Sequence, residues 1–142
     1  MLHTLSIALH ILFAAAWFGL GLALPALVRA QRAGSAPQAR RVITMMNASI
    51  VLFYGFAVLN WTLGMQTTLR EAYNVWPYHT SMTLGLILVA VQFGLIWLGW
   101  RKLTAGGADA EKGAKRITMG VGIGHAVWLG TFVLMYIGRG IW

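Results

Sequence analysis

The sequence predicts an all-α integral membrane protein, one domain over residues 1–142 built as a bundle of four transmembrane helices. Three observations lead there. Of the residues, 58% are hydrophobic and only 10% are charged, where a soluble domain carries about 25%. The charges fall outside four long runs: residues 1–28, 42–69, 72–100 and 117–138 contain no Lys, Arg, Asp or Glu. Each run exceeds the roughly 20 apolar residues that cross a hydrocarbon core. None has the polar outer face of a soluble core helix. Backbone groups in lipid must bond to one another, so each run is expected to be helical. The expected helices cover about residues 3–29, 42–68, 77–101 and 117–138.

The first run lacks a basic leader before its apolar stretch and is too long for a cleaved signal peptide, so it reads as a retained helix. A turn-forming Gly34-Ser35-Ala36-Pro37 stretch connects it to the second. Arg70–Pro77 makes the next connection, with Pro77 suited to a first helical turn. Lys102–Arg116 makes the third, with Gly106-Gly107 as its flexible point.

Orientation follows from the basic residues. Arg29, Arg32, Arg40, Arg41, Arg101, Lys102, Lys112, Lys115 and Arg116 share one end, and only Arg70 and Arg139 stand at the other. Nine against two places the first end in the cytoplasm and both termini outside. Tyr73, Trp76, Tyr78, Tyr136 and Trp142 gather at the outer level as an interfacial belt. Gly120 and Gly124, and Ala15 and Gly19, are small-xxx-small pairs suited to close helix packing, and they leave a homodimer or a larger membrane complex open.

Composition excludes several classes. The net charge of +8 sits in short connections, not along a soluble face, so nucleic acid is not the expected partner. The chain has no Cys, which removes thiolate metal sites and iron–sulfur clusters. No carboxylate lies in any span, so paired-carboxylate chemistry and a Ser-His-Asp triad have no basis. The remaining ionisable groups in or beside the spans are His3, His10, His79 and His125.

An imidazole is costly in hydrocarbon and invites a functional reading. Helices one and three start from the same side, so His10 and His79 fall at similar depths and form the better pair. His125 lies deeper on the opposite side of the bundle's midline, where a ring hydrogen bond to a neighbouring helix competes with a cofactor role. Haem iron takes axial histidines from facing helices. His3, His10 and Trp17 share a stripe of helix one, beside Ala14, Ala15, Ala16, Gly19 and Gly21. Cu(I) is the alternative, because it favours Met and His, although the seven methionines read first as packing. Asn60 reads as a buried amide that joins helices.

His10, Trp17 and Pro25 read H-x6-W-x7-P, with Arg29 one turn on. This resembles the first helix of the four-helix membrane protoporphyrinogen oxidases of bacteria and of the related copper-resistance D-type membrane domains. The resemblance implies a multi-pass protein of the bacterial inner membrane with His10 as a ligand of haem b. The oxidases carry a lysine after a tryptophan at the start of helix three; here Trp76 is followed by Pro77, Tyr78 and His79, and His79 becomes the candidate second ligand. The expected activity is electron transfer, or oxidation of a lipophilic quinol or porphyrinogen. A copper-handling domain and a cofactor-free accessory subunit are the competing expectations.

Overall fold

A computed structural model describes residues 1–34 and 38–139, the side chains of the last two aside. Helix α1 spans Leu2–Arg32 and α2 spans Ala39–Met65. A single turn, α3 (Arg70–Tyr73), follows. Helix α4 runs over Trp76–Ala105, interrupted by a π-helical segment at Gln92–Trp97. Helix α5 spans Gly107–Arg139. The four long helices are each long and apolar enough to cross a membrane, and there is no strand among the described residues. Ser35-Ala36-Pro37 and Trp142, part of the expected turn and belt, lie outside the described residues.

The helices pack in sequence order, α1 on α2 and α4 on α5, and α1 against α5 and α2 against α4 close the square. We call the end holding the α1–α2 connection and Gly106 the basic end, and the other the terminal end. The charge-free runs locate the spans but understate their length. The expected connection at Lys102–Arg116 is helical except at one residue, so Lys112, Lys115 and Arg116 lie on α5. Lys, Arg, Glu and Ala are good helix formers once the chain leaves lipid. The reversal falls on Gly106 (φ +79°) and Gly107 (φ +59°), positions whose backbone is strained for a residue bearing a Cβ. Pro77 stands in the first turn of α4, as expected.

Outward faces are apolar throughout: Leu5, Ile11, Leu12, Leu22, Val51, Leu86 and Phe132 are all exposed, as lipid contact requires. The packed core occupies the middle and the basic half. There Trp17, Leu24, Ile43, Met46, Ile50, Leu88, Ile96 and Ile117 are almost completely buried. Glycines allow the closest approaches. A Cβ on Gly120 would meet Leu95 and Ile96 at 2.9 Å, and one on Gly124 would meet the Trp17 ring at 2.6 Å. The Gly120–Gly124 pair therefore packs as expected, whereas Gly19 and Gly122 have no neighbour within 4 Å of that position. Nearer the turn, α4 and α5 touch backbone to backbone: a Cβ on Gly99 would lie 2.9 Å from the Gly113 carbonyl oxygen.

Candidate functional site

Packing loosens toward the terminal end, where a cavity of about 370 Å³ opens among α1, α2, α4 and α5. That lies at the lower end of the roughly 300–1,000 Å³ typical of small-ligand sites. Its wall is mostly apolar and aromatic, with Ile7, Ala14, Phe53, Ala57, Trp128 and Phe132 among its residues. Ala14 and Ala57 are small side chains on facing helices, and the space between the helices is left unfilled there.

His10 is the one histidine on that wall. It is 8% exposed, and two contacts fix its ring. Nδ1 lies 3.0 Å from the backbone oxygen of Phe53, and the ring stacks on the Phe53 side chain at 4.7 Å between centroids. A carbonyl oxygen only accepts, so Nδ1 carries the proton and donates it. Nε2 is then the nitrogen with the lone pair, and it has no hydrogen-bond partner among the described residues. A ligating histidine is commonly held this way, with its second nitrogen donating to a carbonyl.

The other expected residues are placed elsewhere. His79 was expected opposite His10. It is exposed, is not among the residues lining the cavity, and bonds through Nε2 to the Asn74 side chain at 3.1 Å. Similar depth did not bring it inward, because its position around α4 faces the α3–α4 connection. Trp17 is 1% exposed and lies beneath the cavity, not on it. Its indole donates to Gln92 Oε1 at 2.8 Å, and Gln92 Nε2 donates to Asn47 Oδ1 at 2.7 Å. His125 makes the helix-to-helix bond read from its position: Nε2 donates to the Phe18 oxygen at 3.2 Å, and the ring fills the space over Gly21. His3 meets Tyr73, with Nε2 2.9 Å from the hydroxyl.

Three polar groups on the wall matter beside His10. Asn60 is 7% exposed and accepts a hydrogen bond from Ser6 through Oδ1, joining α2 to α1. Its amide nitrogen has no partner among the described residues. Ser81 and Thr131 line the cavity and are buried, and their hydroxyls donate to carbonyls of their own helices. Two methionines, Met82 and Met135, complete the set of donors. Ser6, Asn47, Ser81, Gln92 and Thr131 belong to no motif or spacing that marks them in the sequence. Gln92 carried the clearest signal, a lone side-chain amide within the expected third helix, residues 77–101.

No cluster of three or more His, Cys, Asp or Glu able to hold a bare metal ion occurs among the described residues. The donor set does fit a group that brings its own in-plane ligands and asks the protein for one imidazole and an apolar slot. No family model, curated protein or solved structure matches the chain, so the residues themselves carry the functional argument.

Proposed function

We propose that the protein holds a b-type haem in the terminal-half cavity, with His10 as its imidazole ligand, and serves electron transfer with a lipophilic reductant of the quinol or porphyrinogen class. One observation carries this: a buried imidazole, oriented by the Phe53 carbonyl, presents an unpartnered Nε2 at the wall of an apolar cavity. Holding an imidazole in lipid without a partner is unfavourable, and an iron ligand accounts for both its position and its tautomer. Haem, when bound, supplies one-electron redox chemistry. The chain's own part is to bind, orient and exclude water. Phe53 fixes the His10 ring, Ala14 and Ala57 leave room for a flat molecule, and the aromatic wall keeps the site dry. The Asn60 amide offers a hydrogen bond to an oxygen of whatever enters. His79 is not needed for this arrangement; Met82 and Met135 line the same cavity and would be the side chains available as a second donor.

The basic residues support an inner-membrane topology with the basic end in the cytoplasm and both termini in the periplasm. The cavity then belongs to the outer half of the bilayer.

The test is the visible spectrum of the detergent-purified protein before and after dithionite. A sharp b-type α-band in the wild type and in His79→Ala, but not in His10→Ala, is the expected result. A colourless wild type reconstituted with haem to no effect overturns the proposal. A second reading has its own support: His10, Met82 and Met135 line one cavity, and this is a soft donor set suited to Cu(I). Stoichiometric Cu(I) uptake that His10→Ala and Met82→Leu both abolish, by a protein that takes no haem, selects it.

A further inference from the structure

A second site stands at the opposite end of the bundle. Leu98, Arg101, Lys102 and Ala105 follow one another at intervals of three, one and three residues, which aligns them on one stripe of α4. Asp109 and Arg116, seven apart, share a stripe of α5. These six residues line a groove of about 290 Å³. The close crossing at Gly99 and Gly113 creates it: a Cβ on Gly99 would lie 3.1 Å from Arg116 Cβ, so the Arg116 side chain is delivered beside Arg101 and Lys102.

Three cations thus face one carboxylate, and none of them forms an ion pair among the described residues. Lys102 and Arg116 are half-buried and Arg101 is exposed. Three cations with one carboxylate among them leave an excess of positive charge, and the backbone crossing holds them there. The groove is complementary to an anion. Its border with Leu98, 39% exposed on the lipid-facing side, adds an apolar edge that a free ion does not use. We propose that this groove binds the phosphate of an anionic phospholipid headgroup, with an acyl chain passing over Leu98. Basic pockets between transmembrane helices are established positions for such lipids. The site is independent of the cavity at the terminal end and of what that cavity holds.

The experiment uses the full chain in a neutral detergent, titrated with phosphatidylglycerol, phosphatidylcholine or inorganic phosphate. Bound lipid is counted by native mass spectrometry and the unfolding midpoint by near-ultraviolet circular dichroism. Phosphatidylglycerol is expected to stay bound and raise the midpoint, while phosphatidylcholine and inorganic phosphate do neither. The double variant Arg101→Gln, Arg116→Gln should weaken phosphatidylglycerol binding roughly tenfold or more, at about a fivefold loss per cation removed near a membrane surface. Arg40→Gln, Arg41→Gln removes two exposed cations at the start of α2, outside the groove, and should change it little. Equal losses in the two double variants mean diffuse charge attraction and overturn the site. An equal shift with inorganic phosphate overturns the lipid assignment. Should the first variant lose its native dichroism, Lys102→Gln alone supplies the comparison, and unchanged binding there also counts against the site.

Discussion

Trp17 and Gln92 meet across the diagonal of the bundle, the indole N–H donating to the amide oxygen at 2.8 Å. Neither side chain touches solvent: they are 1% and 0% exposed. Gln92 opens the π-helical segment of α4. A π segment carries one extra residue per turn, which shifts the helix face around its axis and is often found at functional sites. Here the buried residues Leu88, Gln92, Ile96 and Trp100 follow at intervals of four through the wider turn, a series that would drift by about 40° per step around a regular α-helix. The amide then continues to Asn47, so three helices are joined through one side chain. This layer forms the floor beneath the cavity.

Breaking that layer should cost stability and loosen the site above it. Hydrogen bonds between membrane helices average about 0.6 kcal/mol and reach about 1.7. We expect a Trp17→Phe, Gln92→Leu double-mutant cycle in detergent unfolding to return a coupling of about 1 kcal/mol. A coupling indistinguishable from zero would show that the contact does not contribute.

The glycines separate into two groups with opposite expectations. Gly124→Leu drives a side chain into the Trp17 ring, and overpacking of this kind costs about 1–3 kcal/mol. Gly122→Ala points into open space and removes backbone entropy from a helix interior, so it should be neutral or stabilise by up to about 1 kcal/mol. Unfolding midpoints of the two variants should move in opposite directions, or the second should stay still.

Gly106 has φ +79° and ψ −169°, a conformation essentially confined to glycine. Gly106→Ala should destabilise by about 1–3 kcal/mol, read from the same unfolding assay. Wild-type stability in that variant would mean that the α4–α5 turn has another conformation.

Asn60→Leu removes the unpartnered amide from the cavity wall and the Ser6 bond with it. Asn60→Asp keeps an acceptor oxygen for Ser6 and exchanges the N–H donors for a carboxyl group. If the cavity ligand uses those donors, both variants bind it several-fold more weakly, on the scale of one hydrogen bond, measured by titration of the ligand that the purified protein carries. Loss in Asn60→Leu alone would limit Asn60 to joining α1 and α2.

Span number and helical class were legible because charges are excluded from lipid, and the runs between them are long enough to be unambiguous. Helix ends were not, because Lys112, Lys115 and Arg116 leave the membrane without leaving the helix. His10 stood out as an imidazole about two turns inside a charge-free span, and its burial at 8% exposure agrees with that depth. His79 shows the limit of that argument. Depth follows from rise per residue, but the direction a residue faces around α4 depends on where the helix packs, and Asn74 at its own entrance takes the ring. Trp17 and Gln92 lie 75 positions apart, and only the diagonal packing brings them together.

The Gly106 turn leaves α4 and α5 almost no connecting chain, and the Gly99–Gly113 crossing clamps them just inside it. Relative motion of this pair therefore has a fulcrum at one extremity. The largest displacement falls toward the opposite extremity, where Met82 on one arm and Met135 on the other both line the cavity. A bulky molecule would enter sideways by parting those tips as a pair of tweezers opens, while the clamped end stays shut.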